Sequence, residues 1–220
     1  MNLKEFISEN YKHFNAGELS RCSESLNEFL NEGGRLMITL AGAMSTAEIG
    51  KCLAPSIKSQ KVHGICCTGA NLEEELFSLI GRSNFKKIDN WRELRAEDDY
   101  NLKLKGMNRV TDVAIPEKLI RTLEGPLLSL WEEAEAVGDR RFPHEFIYDL
   151  VLHGELDFDV DPETSWLMAA ADANLPIFTP GWEDSTLGNL FAARVLDCTL
   201  KGSGIIKSGL NAMQALADWY

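Results

Sequence analysis

Three segments of this chain share one pattern, an apolar run that breaks at small residues and then opens a helix. They are Leu40-Ala-Gly-Ala-Met-Ser-Thr46, Cys67-Thr-Gly-Ala-Asn-Leu-Glu-Glu-Glu75 and Pro176-Ile-Phe-Thr-Pro-Gly-Trp-Glu-Asp-Ser-Thr-Leu-Gly-Asn189. Strand, turn and helix in repetition specify an α/β fold, a parallel sheet with helices on both faces. Open sheets of this kind bind ligands in the crevice beyond the carboxyl ends of their strands. Three junctions in one chain therefore point to one site.

The rest of the chain fits this alternation. Apolar spacing predicts helices over 3–14 and 18–32, the second stopped by Gly33-Gly34. Strands are expected at 35–40 and 62–67, with helices over 45–53 and 72–80, Pro55 ending or kinking the first. Residues 82–105 read as a polar excursion with partial helix, and 109–115 as one extended segment. Pro116 opens a long helix to about 136 that Gly125-Pro126 should bend or split. Further helices are expected at 143–152, from Asp161 as a cap, at 186–200 and at 208–220. No linker divides the chain, so one domain is expected over 1–220, with N-terminal helices over about 1–33 and a sheet core from 35. The last helical pattern, Leu210, Met213, Leu216 and Trp219, carries no stop signal and reads as a chain cut within an element.

Composition narrows the partners. A net charge of −12 argues against nucleic acid, which needs a basic surface to displace counterions. It suits a cationic ligand such as a polyamine. The first residues, Met-Asn-Leu-Lys-Glu-Phe, lack a signal-peptide core and no run reaches membrane-spanning length, so a cytoplasmic protein without a membrane partner is expected. Five cysteines at irregular spacing fit reduced thiols, with Cys66 and Cys67 as small core residues. No histidine pair has metal-ligand spacing, and no metal is expected.

The junctions hold the candidate site residues. Asn71 followed by Glu74 has the spacing of a capping box, and acids in a first helical turn complement its dipole. The other reading of Glu73, Glu74 and Glu75 is that carboxylates at a helix start hold an ammonium group. Asp184 either caps the following helix or accepts hydrogen bonds from a ribose or an amine. Ser45 and Thr46 lie where a helix start would meet a phosphate, although no Gly-x-Gly-x-x-Gly fingerprint is present. Trp182 either packs or covers a ligand.

Taken together, these residues resemble the deoxyhypusine synthase family. Thr68-Gly-Ala-Asn-Leu-Glu-Glu-Glu75 is similar to its Thr-Ala-Gly-Gly-x-Glu-Glu-Asp segment. Pro176 to Asn189 is similar to its Pro-x-Phe-x-Pro-x-x-x-Asp-Gly-Ser-x-Gly-Asp segment, and Gly106-Met-Asn-Arg109 to its Gly-x-Asn-Arg. Order and spacing agree over about 36–200. The resemblance implies a Rossmann-like fold, a homotetramer and NAD. It implies NAD-dependent transfer of an aminobutyl group from spermidine to an acceptor amine, either a protein lysine or putrescine. Ser45, Thr46, Thr68, Gly69, Ala70 and Asp184 would contact NAD; Glu73, Glu74 and Asn189 would face the polyamine.

The chain departs from the family pattern twice. Asn189 stands where the family has an aspartate, which removes a charge. The family's lysine-bearing Trp-Gly-Lys motif is absent, and Lys201 and Lys207 lie in other contexts. A desolvated, positioned lysine is needed as nucleophile, so the expectation is that this chain does not complete the transfer alone. The alternative is a non-catalytic truncated paralogue that binds NAD or pairs with a full-length subunit.

Overall fold

Residues 2–220 are described in a computed structural model. Residues 1–36 cluster as one unit containing α1 (Leu3–Asn10) and α2 (Phe14–Asn31). Asn2 and Glu5 form a reciprocal cap on α1. Gly33, at φ 91°, takes the left-handed conformation that ends α2.

Residues 37–220 form the second unit. In chain order it contains β1 (Met37–Leu40), α3 (Gly50–Lys58), β2 (Gly64–Cys67), α4 (Gly69–Gly81), β3 (Lys86–Lys87), α5 (Ala96–Leu104), β4 (Met107–Val110) and β5 (Val113–Pro116). It continues with α6 (Glu117–Val137), α7 (Pro143–His153), α8 (Trp166–Asp172), β6 (Ile177–Phe178), α9 (Thr186–Leu196) and α10 (Gly209–Trp219).

The sheet that carries the three junctions is parallel, in the order β1-β2-β6. Leu40 pairs with Cys67, and Cys66 with Phe178, so all three strands end together. Helices cover both faces. Trp219 of α10 packs where a Cβ at Gly64 would point, within 3.4 Å, while Tyr148 of α7 reaches the neighbourhood of Cys67, one face over. Ile65, Leu72, Leu76, Trp131 and Trp166 are among the fully buried core side chains.

Several expectations are corrected. The segment 109–115 is a hairpin, with Val110 opposite Val113 and a tight turn at Thr111-Asp112. Thr111 sits at φ 53° without the Gly or Asn that usually signals such a turn. With β3 it makes a second, antiparallel sheet, β3-β5-β4. Helix α6 runs unbroken through Gly125-Pro126. Leu123, Leu127, Trp131 and Ala134 are buried on one stripe spanning the proline, and that packing holds both halves in register. Pro55 does not end α3, which continues through it to Lys58. Asp161 caps only a 3-10 turn at Pro162–Thr164; Ser165 caps α8. Among the described residues, no helix is long and apolar enough to cross a membrane, and no cluster of metal-ligating side chains occurs.

Candidate functional site

The carboxyl ends of β1, β2 and β6 open into a cleft of 460 Å³ lined by Thr39, Leu40, Ala41, Cys66, Cys67, Thr68, Pro180, Gly181 and Asp184. Cys66 is half-buried at this cleft and is not a core residue as expected; only Cys67 is buried. Desolvation pushes both thiols up, which keeps them protonated and unreactive.

The second junction builds one wall. Thr68, in extended conformation, is the N-cap of α4, and its Oγ1 accepts from the Asn71 amide at 3.3 Å. The expected Asn71–Glu74 capping box is therefore not formed. Because α4 starts at Gly69, the three glutamates fall beyond its first turn, where no acid occurs. No acid of the helix's own first turn opposes its dipole, which favours an anion beside it. Asn71 instead works across the structure. Its Nδ2 donates to the Gly42 carbonyl at 2.7 Å, and its Oδ1 accepts from the Ser45 amide at 3.2 Å.

That bond explains a further correction. Ser45 does not begin a helix; residues 44–49 form successive turns, with Glu48 at φ 63°, and α3 starts at Gly50. The Ser45 hydroxyl accepts from the buried Trp166 indole at 3.1 Å. Tertiary partners thus hold the Ser45 amide and hydroxyl, while its carbonyl accepts locally from the Glu48 amide at 3.0 Å. Thr46 donates through Oγ1 to Glu74 Oε2 at 2.7 Å.

The third junction closes against the second. A Cβ at Gly69 would lie 2.7 Å from Ser185 Cβ, so only glycine permits this approach. Ser185 caps α9, accepting from the Gly188 amide at 3.0 Å. Asp184 thus takes no part in capping; it is exposed on the cleft opposite Thr68. Trp182 is buried, with its ring 5.9 Å from Phe191, and so packs.

The three glutamates differ in what they hold. Glu73 accepts from the Thr186 and Leu187 amides at 2.9 and 2.7 Å, so both its oxygens serve the start of α9. Glu75 Oε1 accepts from Ser165 Oγ and the Trp166 amide at 2.9 and 3.0 Å, at the start of α8. Glu74 meets Thr46. Burial pushes all three carboxyls up and the bonded donors oppose it; Glu75 reaches about 7.

The structure thus brings Thr68 and Asp184 to one cleft, seats Gly69 against Ser185, and joins Ser45 and Thr46 to the Asn71–Glu74 face of α4. Ala70 is half-buried in the first turn of α4, and Asn189 is exposed on α9 with its Nδ2 turned back to the Ser185 carbonyl at 2.7 Å. Neither of these two lines the cleft. Sequence reasoning missed the roles of Asn71, Glu75 and Trp166. Their partners lie 26 to 121 residues away, and no local spacing announces them.

Comparison with known proteins agrees with the motifs. The family described as deoxyhypusine synthase matches residues 7–203. A "Probable deoxyhypusine synthase 1" of Methanosarcina acetivorans is 26% identical over 176 residues, 80% of this chain and 51% of that protein. A "Probable deoxyhypusine synthase 2" of Archaeoglobus fulgidus is 27% identical over 176 residues, 80% of this chain and 55% of that protein. The chain spans about half the length of the curated relatives it matches. With most of its residues inside the family match, and with the junctions arranged around one strand-end cleft, the chain belongs to the deoxyhypusine synthase family.

Proposed function

We propose that the strand-end cleft binds NAD and that the chain contributes to aminobutyl transfer from spermidine to an acceptor amine. The observation that carries this reading is the shared lining of one cleft by Thr68 and Asp184, beside a helix start with no acid in its first turn. The donor set suits the cofactor. The first amides of α4, at Gly69 and Ala70, favour a phosphate, and the close approach of Gly69 to Ser185 seats the start of α4 against the segment that carries Asp184. Thr68 adds a hydroxyl and Asp184 offers a carboxylate to ribose hydroxyls; Ser45 and Thr46, expected to contact NAD, are buried away from the cleft lining with their hydroxyls engaged by Trp166, Asn71 and Glu74. NAD supplies hydride acceptance and return at the substrate carbon.

The chain's own residues then bind and orient the amine. Glu74, held by Thr46, offers a second carboxylate oxygen to an ammonium, a charge-assisted bond stronger than a neutral one. Approach of that cation lowers the raised Glu74 carboxyl and ionises it. Glu73 spends both oxygens on α9 and so orients the 184–189 segment, which presents Asp184 and Asn189. The family's homotetramer, a polyamine donor and a cytoplasmic setting belong to the same reading.

The lining residues of the cleft include no lysine. This favours a second reading, in which the chain binds NAD and pairs with a longer subunit that supplies the amine nucleophile. Calorimetry of NAD and spermidine binding, with Asp184→Ala beside the wild type, tests the site. Spermidine-dependent NADH formation, with and without putrescine or a protein acceptor, then separates the two readings. Wild-type affinity for NAD in Asp184→Ala would remove the cleft from the reading.

A further inference from the structure

We infer that Trp166 is a positioning residue: its indole N–H sets the Ser45–Thr46 turn and, through Thr46, the carboxylate of Glu74. The inference rests on the proposed amine site at Glu74. Trp166 is fully buried and lines no part of the cleft. Its indole nevertheless ends on Ser45 Oγ at 3.1 Å, across 121 residues of chain.

The tryptophan is itself fixed. Its backbone amide donates to Glu75 Oε1 at 3.0 Å, and the neighbouring Ser165 hydroxyl donates to the same oxygen at 2.9 Å. From the other side, the Ser45 amide is held by Asn71 at 3.2 Å, and Arg82 donates to the Thr46 carbonyl at 2.8 Å. The turn is thus tied to the start of α8 on one side and to α4 and Arg82 on the other.

Two features make the indole bond matter for position as well as for packing. Residues 44–49 are turns held locally by only a few backbone bonds, Ala47 to Ala43 at 3.0 Å, Glu48 to Ser45 at 3.0 Å and Ile49 to Met44 at 3.1 Å, and the Ser45 amide and hydroxyl are anchored by side chains. A partly open cavity of 120 Å³ borders the turn at Ser45 and Glu48, with Glu75, Ser78 and Ser165 on its other walls. Without the indole N–H the turn has adjoining space into which it can shift. Thr46 Oγ1 is 2.7 Å from Glu74, so such a shift breaks the bond that aims the carboxylate.

Trp166→Phe keeps an aromatic ring in the core and removes the N–H. In the full chain, hydrogen exchange of the amides over 43–49 should accelerate. Spermidine affinity measured by calorimetry should fall up to ~10-fold, the scale of one lost hydrogen bond, while NAD affinity, carried mainly by Thr68 and Asp184, changes much less. Ser45→Ala removes the same bond from the small side, so it tests the claim if the phenylalanine variant fails to fold. The double variant should lose no more than either single one. Fully additive losses, or unchanged exchange and affinity in a folded Trp166→Phe, would overturn the inference. If the wild type binds neither ligand, the functional reading fails, and the exchange measurement still decides the role of Trp166.

Discussion

Lowering the pH should unfold this protein through one buried imidazole. His144 sits on α7 with its ring stacked on Phe142 at 5.9 Å and edge-on to Tyr148 at 5.2 Å. It is buried, and its Nδ1 meets no hydrogen-bond partner among the described residues. Burial, with a smaller contribution from the Lys207 charge, pushes the imidazole from 6.5 down to about 3. The folded state therefore holds His144 neutral at pH values where the unfolded chain binds a proton. Stability from this group is fully present above pH 6.5 and is lost as pH falls through about 3. At about 1.4 kcal/mol per pH unit, the loss approaches about 5 kcal/mol, comparable to the whole stability of many domains. Urea denaturation at a series of pH values measures it. Relative to wild type, His144→Phe should flatten the decline between pH 6.5 and 4 by about 3 kcal/mol. Parallel stability–pH curves for the two proteins would refute the argument, because they would mean that the imidazole gains water or a partner when charged.

The buried carboxylates give predictions of opposite sign. Glu75 is raised from 4.5 to about 7. The folded state thus binds more protons over that range, and wild-type stability falls as pH rises through it. Glu75→Gln should remove about 3 kcal/mol of that decline, read by urea denaturation at pH 5 and 8. Glu73→Ala strands the Thr186 and Leu187 amides. It should cost about 2–3 kcal/mol, with hydrogen exchange rising first at the start of α9; uniform exchange would count against it. Gly69→Ala places a methyl 2.7 Å from Ser185 Cβ. It should destabilise by about 1–3 kcal/mol and weaken NAD binding, both measured on the same preparation.

What the sequence determined by itself is local. The three apolar runs ending at Gly-Ala and Pro-Gly specify strand, turn and helix through short-range sterics. Their repetition specifies a parallel sheet, since parallel strands need helical crossovers. Family membership follows from the same motifs, as does the expectation that Thr68 and Asp184 face one cleft. The tertiary structure decided where competing local signals ended. Asn71 looks like a helix cap in sequence, yet Thr68 caps α4 and Asn71 ties the Gly42–Ser45 turn to it. Ser45 looks like a helix start, yet Trp166 and Asn71 take its polar groups. Pro126 looks like a break, yet buried side chains on both sides keep α6 continuous across it. Glu73, Glu74 and Glu75 are indistinguishable as letters, and folding gave them three separate partners. The physical reason is common to all of these. A buried polar group must find a partner, and the nearest one in space is often a hundred residues away in sequence.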